Sequence, residues 1–300
     1  MRVLIAGGTG FMGSALRRFL ASAGHEVWVL TRRAPRNPRE IKWDGYSVEG
    51  WGERLSEIDA VVNTTGFGLE HWPWTARQKQ RFLDSRILPS AALASAIEAA
   101  RRRPRVLVQI SGINFYGTWG EGVADESWPA AKDYLAQLTV RWEAASQPVE
   151  GLGVRRAVAR SAVVLDARRG LFPIMALPVR LFVGGPLGDG RQAVPWIHIN
   201  DQMRALQFLL ENESANGAFN LIAPEPTSNQ EFMQVLAQTL RRPYWFRTPG
   251  FVLRAVLGEM STLVLDGRYS QPQRLVQLGF DFKFPTIRRA LQELLRPSGM

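Results

Sequence analysis

Cysteine is missing from the 300 residues altogether, which excludes disulfides, thiolate nucleophiles, cysteine-ligated zinc and iron–sulfur clusters. Histidine occurs only three times, and no spacing of His, Asp and Glu outlines a metal site, so no metal is expected. Long apolar runs are also lacking. The most apolar later stretch, residues 171–183, is broken by Pro173, Pro178 and Arg180 and falls short of the ~20 residues that a spanning helix needs. Met1-Arg2 leads directly into an apolar run with no space for a signal peptide, so a cytoplasmic protein is expected.

Lysine is scarce: Lys42, Lys79, Lys132 and Lys283 are the only ones among 37 basic residues. Net charge is nevertheless +10, a balance that raises nucleic acid and anionic membrane surfaces as partners. The arginines, however, are spread along the chain. The one tight group, Arg101-Arg102-Arg103 with Arg105, follows a helical run at 90–100, where cations complement the negative end of a helix dipole. Neither nucleic acid nor a membrane is therefore expected as a partner. A small-molecule substrate is, and a homodimer is one open option for the assembly.

What is present is a chain 46% apolar, enough for a substantial core, with a glycine loop near its start. Val3-Leu4-Ile5-Ala6 is followed by Gly7-Gly8-Thr9-Gly10-Phe11-Met12-Gly13, a helical stretch at 14–23, a stop at Gly24 and a second strand at 26–30. This βαβ context is what gives a glycine triplet its meaning. The first glycine allows a tight turn, the next lets backbone N–H groups approach a pyrophosphate, and Gly13 lets helix and strand pack closely. The diphosphate then lies on a helix N-terminus, where unpaired N–H groups and the dipole favour anions. Gly7, Thr9, Gly10, Phe11, Met12 and Gly13 are the expected cradle. The second strand ends in Thr31-Arg32-Arg33, where an NAD enzyme carries an acidic residue for the ribose 2′-hydroxyl. Two arginines there favour a 2′-phosphate, and the expected cofactor is NADP(H). Asn63-Thr64-Thr65-Gly66, after the third strand, is expected to pass beneath the cofactor.

Apolar strand-like runs at 3–6, 27–30, 60–63, 106–110 and 162–165 alternate with helical patterns at 76–83, 90–100 and 133–145. Such alternation predicts an α/β fold, a Rossmann-type doubly wound parallel sheet. A loop-rich excursion at 171–195 leaves the sheet and returns at Trp196-Ile197-His198, after which a helix is expected to start at Asp201 as its N-cap. Beyond Asn220 the pattern shifts to short helices and turns, opening with a capping box at Ser228 and Glu231. The predicted organisation is a dinucleotide-binding domain at 1–220 and a smaller C-terminal α+β substrate-side domain at 221–300.

The glycine loop, Trp74-Thr75 with Lys79 and Ser85-Arg86, Ser111-Gly112 with Tyr116-Gly117, and Trp142-Glu143-Ala144-Ala145 form one set of motifs. Further motifs are Gly184-Gly185-Pro186-Leu187-Gly188-Asp189-Gly190-Arg191-Gln192, Trp196-Ile197-His198, Asp201, Gly279-Phe280 and Ala290-Leu291. Together they resemble the epimerase-like branch of the atypical extended short-chain dehydrogenases/reductases across nearly the whole chain. The resemblance implies a Rossmann-type NADP-binding domain, a small C-terminal domain and no established substrate. Two positions depart from it: Pro73 stands where the family has an arginine before Trp-Thr, and Gly112 where active extended relatives have a serine or threonine four residues before the tyrosine of Tyr-Gly.

Short-chain dehydrogenases usually carry Tyr-x-x-x-Lys on a helix, because residues four apart share a face and the ammonium can lower the phenol's pKa. Four residues before the four lysines stand Pro38, Thr75, Trp128 and Gly279, so the dyad is absent. The remaining candidates for proton transfer are Ser111, at a strand's C-terminal end, and Tyr134, whose i+4 neighbour is Leu138. Each has a bland reading, a turn cap for Ser111 and a packing residue for Tyr134. His198 is a candidate acid/base or substrate contact, with a satisfied core imidazole as its competitor. Lys79 and Arg86, seven apart on one helical face, can grip an anionic substrate, and Gln192 joins them as a substrate-side candidate. The leading expectation is an NADP(H)-dependent oxidoreductase or epimerase acting on a small anionic or sugar-like carbonyl compound. The alternative is a non-catalytic NADP(H)-binding redox sensor or scaffold, for which a missing dyad is no handicap.

Overall fold

The computed structural model describes residues 1–118 and 120–296; the last four positions of the expected C-terminal domain lie outside them. Seven parallel strands form the central sheet in the order β3-β2-β1-β4-β5-β6-β9: β1 Arg2–Ala6, β2 Glu26–Thr31, β3 Glu40–Lys42, β4 Ala60–Asn63, β5 Val106–Gly112, β6 Arg155–Ser161 and β9 Gly217–Leu221. The order reverses between β1 and β4, the place where doubly wound sheets open a crevice at the strands' C-terminal ends. Both faces are buried, as parallel sheets require. Val3 and Ile5 point into a core with Leu16, Leu20 and Leu206. Leu4 and Ala6 point into another with Trp51, Leu55, Leu93 and Ile97.

Helix α1 (Phe11–Ser22) follows β1, α2 (Ala76–Ala99) follows β4, and α3 (Tyr134–Ala144) lies after β5. The two helical patterns at 76–83 and 90–100 are one 24-residue helix that runs through Pro89. Proline costs a hydrogen bond there, but Ser90 Oγ donates to the Arg86 carbonyl at 2.7 Å, and burial of Phe82, Leu93 and Ile97 holds the helix through the gap. Asp133 caps α3 by accepting from Ala136 N at 3.0 Å.

The expected strand at 162–165 is corrected. The sixth strand of the main sheet is β6, Arg-Arg-Ala-Val-Ala-Arg-Ser, whose three arginines hid it. Val163–Leu165 is a separate strand, β7, which pairs in parallel with β8 (Trp196–His198) in a two-stranded sheet. The excursion therefore returns to this small sheet rather than to the large one; it carries α4 (Phe172–Arg180). Helix α5 (Ile199–Glu211) is capped by His198, whose Nδ1 accepts from Asn200 N at 3.1 Å. Asp201 is not the cap: it is wholly buried and accepts from Lys283 N and Phe284 N at 3.0 and 2.8 Å, which ties the C-terminal segment to α5.

The C-terminal region comprises α6 (Asn229–Leu240), α7 (Gly250–Leu257), α8 (Thr262–Leu265), α9 (Gln273–Gln277) and α10 (Ile287–Leu294). Ser228 caps α6 by accepting from Glu231 N, as the capping-box pattern predicts. A third core joins Leu165, Phe172, Val179 and Trp196 to Phe232, Leu236, Ile287 and Leu291. The excursion and the C-terminal helices thus share one apolar interior.

Candidate functional site

Where β1 meets α1, the backbone is shaped for close approach. Gly7 has φ +78°, a conformation that side chains disfavour. A Cβ on Gly13 would lie 2.3 Å from the Gly7 carbonyl oxygen and 2.7 Å from Gly8 Cα, so only glycine lets helix and loop touch. Gly10 opens α1 with no side-chain cap, and the first turn has no acidic residue. The leading N–H groups, at Phe11 and Met12, are thereby left to an anion. Thr9 lies exposed in the loop. The residues present fit a dinucleotide diphosphate.

Thr31 is buried and its Oγ1 accepts from Arg33 N at 3.2 Å, turning the chain so that Arg32 and Arg33 are both exposed. Neither guanidinium has a carboxylate partner among the described residues. Lys42, opposite Thr31 in β3, donates its ammonium to the Arg32 carbonyl and adds a third cation. Sequence reasoning missed Lys42 because strand pairing alone brings it there. Arg169 was also missed. Its Nη1 donates to Ser14 Oγ at 2.7 Å and its guanidinium lies 5.6 Å from the Phe11 ring, at the start of α1.

The segment after β4 is divided in its duties. Asn63 is wholly buried, donates to Ser90 Oγ and Gln109 Oε1 at 3.0 Å each, and accepts from Thr65 N and Oγ1. Its side chain is therefore committed inside the protein. Thr64 Oγ1 donates to the Ala6 carbonyl at 2.8 Å, tying this segment to the glycine loop. Gly66 faces Arg86: a Cβ there would meet its guanidinium carbon at 3.6 Å.

Arg86 is buried, where its Nη1 donates to the Phe67 and Phe82 carbonyls at 3.0 Å and its guanidinium stacks 4.8 Å from the Trp142 ring. Burial pushes its pKa down to about 10. These contacts lock Arg86 as a brace between the Gly66–Phe67 segment, α2 and α3, rather than as the exposed partner of Lys79. Lys79 faces elsewhere. Its ammonium sits 4.7 Å from the centre of the Tyr134 ring and pairs with Glu259 from the C-terminal region. The helical i+4 position of Tyr134 is empty of charge, but a lysine from α2, 55 residues away in sequence, covers the ring. Trp74 flanks the same ring at 5.8 Å. Burial raises the Tyr134 pKa above its ordinary value of 10; nearby Arg86 opposes the shift and Glu259 adds to it.

Ser111 is buried at the end of β5, and its Oγ donates to Glu143 Oε1 at 2.7 Å. Glu143 also receives Arg160 Nε and Nη2 at 2.9 and 3.0 Å in a bidentate pair. Arg160 Nη1 continues to the Tyr116 hydroxyl at 2.8 Å, which donates to Asn220 Oδ1 at 2.8 Å. Burial pushes the Tyr116 phenol up to about 12 despite Arg160. This relay crosses β5, α3, β6 and β9, and it satisfies the arginine that obscured β6.

His198 lies 2% exposed, with Nε2 against Glu293 at 2.8 Å and the Phe284 ring 3.8 Å away. Its imidazole is satisfied on both nitrogens, and burial lowers its pKa below 6.5 despite Glu293. Gln192 donates through Nε2 to the Leu187 and Val264 carbonyls at 3.0 and 2.9 Å. It lines a cavity of about 760 Å³ between the 188–192 turn and the segment 247–269. Arg191, Arg254, Asp189 and Asp266 also face that cavity. Among the described residues no group of three or more His, Asp and Glu side chains could hold a metal, and no helix is long and apolar enough to cross a membrane.

A parallel sheet that reverses between β1 and β4, with a glycine-built helix start at that point, defines a Rossmann-type nucleotide-binding protein. The chain belongs to the NAD dependent epimerase/dehydratase family, which its residues 3–221 match; residues 248–294 match a domain of unknown function, DUF1731. It is 32% identical over 302 residues to the epimerase family protein YfhF of Bacillus subtilis (strain 168), covering 98% of each chain. To the epimerase family protein Mb2239 of Mycobacterium bovis it is 37% identical over 290 residues, 96% of each. Among solved structures, human epimerase family protein SDR39U1 (isoform 2) with NADPH superposes with a TM-score of 0.89 at 34% identity, covering 98% of this chain and 99% of that one.

Proposed function

We propose that this protein is an NADP(H)-dependent oxidoreductase that interconverts a small carbonyl compound and its alcohol, with Tyr134 as the proton donor. The observation that carries the reading is the Lys79 ammonium on the Tyr134 ring. It brings a cation to the phenol from a second helix, but Glu259 pairs with that cation and the phenol's pKa stays above its ordinary value, so Tyr134 serves as a neutral donor and not as the lowered-pKa phenol of a Tyr-x-x-x-Lys pair. Bound NADP(H) provides hydride chemistry, which belongs to the cofactor. The chain's part is to seat the diphosphate on the Gly7–Gly13 turn, hold the 2′-phosphate with Arg32 and Arg33, and present a proton. Tyr134 is protonated at neutral pH and so has a proton to give to a developing alkoxide, although burial, by raising its pKa, makes it a weaker acid than a free phenol. The NADPH in the human relative's structure supports the choice of cofactor.

The cavity wall holds Arg191 and Arg254 beside Asp189 and Asp266, a mixed set suited to a polar, hydroxyl-bearing substrate; Tyr134 and the glycine loop lie outside its lining. Ser111 takes no direct part in this reading, because its hydroxyl serves Glu143. A screen of anionic and sugar-like carbonyl compounds for NADPH oxidation tests the proposal. Turnover that disappears in Tyr134→Phe is expected. Tight NADPH binding with no turnover across the screen turns the reading toward a redox sensor.

A further inference from the structure

Two segments distant in sequence build an apolar face that nothing among the described residues covers. α4 turns Ile174 and Leu177 outward and leads into Leu181, Phe182 and Val183; beside them run Trp245, Phe246 and α7, which buries none of its eight residues. Phe251 is 73% exposed, Trp245 68%, Leu181 62% and Ile174 60%. The segments are joined: Trp245 Nε1 donates to the Phe182 carbonyl at 2.9 Å, and the backbone N–H groups of Trp245 and Phe246 both donate to the Gly184 carbonyl at 3.1 Å. Phe182 holds φ +66°, a strained conformation for an aromatic residue, and the strain is kept while its ring stays outward beneath the Arg242 guanidinium, 4.3 Å away. Apolar patches of this kind mark interaction surfaces.

Around α4 and Trp245 the charge is basic, whereas the side of α7 that meets the cavity has Asp189 and Asp266 beside Arg254. Arg180, Arg241, Arg242, Arg247 and Arg254 are all exposed, and neither 167–188 nor 241–258 contains an Asp or Glu. The arginines that look scattered along the sequence converge here once the chain is folded. We propose that this face docks on the surface of an anionic lipid bilayer. Trp245, Phe182 and the outer sides of α4 and α7 enter the headgroup layer, and the arginines meet lipid phosphates. Tryptophan sits at the headgroup level by virtue of its amphipathic ring, and phenylalanine and leucine supply apolar contact with the acyl boundary. Helices of nine and eight residues lie on such a surface and do not span it. A second copy of the chain is the poorer occupant, since around α4 and Trp245 it would set arginines against arginines. Phe251, Arg247 and Arg254 also line the cavity of the proposed function, so the test uses Ile174, Leu181, Arg180 and Arg241, which do not.

Co-sedimentation of the full chain with vesicles tests it. Vesicles of phosphatidylglycerol and phosphatidylcholine in equal parts are expected to carry the protein down at low salt, and pure phosphatidylcholine vesicles to leave it in solution. Two variants separate the contributions: Ile174→Ser/Leu181→Ser removes apolar contact, and Arg180→Glu/Arg241→Glu reverses charge. All four positions are exposed, so both variants are expected to melt like the parent. The charge variant is expected to bind at least about thirtyfold more weakly, and the apolar variant about tenfold. Absence of binding to the anionic vesicles overturns the proposal, as does binding that both variants leave unchanged. A dimer in sedimentation equilibrium that Ile174→Ser/Leu181→Ser disperses, with no vesicle binding by the parent, assigns the face to a second copy instead.

Discussion

Replacing Arg32 with alanine should weaken NADPH binding about tenfold to a hundredfold while leaving NADH affinity nearly unchanged. Arg32 is exposed at the end of β2 and has no carboxylate partner among the described residues. Gly45, at φ +102°, lies next to the arginine stem, where a Cβ would make only ordinary contact, 3.8 Å from Arg32 Cδ. In water, unit charges 4 Å apart attract by about 1 kcal/mol, so a doubly charged phosphate gains about 2 kcal/mol from one guanidinium. Charge-assisted hydrogen bonds independently give about 1.5–3 kcal/mol, and 1.4 kcal/mol is about tenfold in affinity. Arg33 and Lys42 remain beside the site, so Arg32→Ala should retain a residual preference for NADPH that Arg32→Ala/Arg33→Ala loses. NADPH and NADH fluorescence titrations at two ionic strengths measure this. The gap between the coenzymes should narrow with salt, because exposed charges are screened. Equal losses for both coenzymes, or none, would refute the placement of the 2′-phosphate.

Gly13→Ala should abolish binding of both coenzymes in the same titrations, because a Cβ 2.3 Å from the Gly7 carbonyl oxygen forces the loop off α1. If Tyr134 donates the proton, Tyr134→Phe lowers kcat by about 10²–10⁴; Lys79→Met should lower kcat with KM for NADPH unchanged, and an unchanged kcat would remove Lys79 from the reaction. Glu143→Ala should destabilise the protein by about 3–5 kcal/mol in urea melts, because it strands the buried Arg160 guanidinium; a loss under about 1 kcal/mol would mean that the relay is solvated. His198 makes the melting temperature fall as pH drops below 6.5, since the unfolded chain takes up a proton that the buried ring resists. A His198→Asn variant should show a flatter pH dependence over that window.

Legibility followed the range of the interactions. β4 was read at its observed limits because four consecutive apolar or buried positions between turns suffice to define a short parallel strand. β6 was not, because Arg155, Arg156 and Arg160 interrupt the apolar signal. Their partners, the Leu209, Leu210 and Ala215 carbonyls, Glu150 and Glu143, come from elsewhere in the chain. Pro89 misled for a related reason: local propensity ends a helix there, and tertiary burial overrides it. Arg86 has the composition of an anion grip and the position of a brace, which its type cannot distinguish.

The glycine spacing, the strand periodicity and the arginines ending β2 were decided by the sequence itself, since each acts through its own backbone or its nearest neighbours along the chain. The tertiary structure decided which charges meet which surfaces. Lys79 reached Tyr134, Lys42 came beside Arg32, and Arg180 joined Arg241 and Arg242 around an apolar face. Each of these pairings joins separate elements, and strand order and helix packing, rather than any local pattern, set the distances between them.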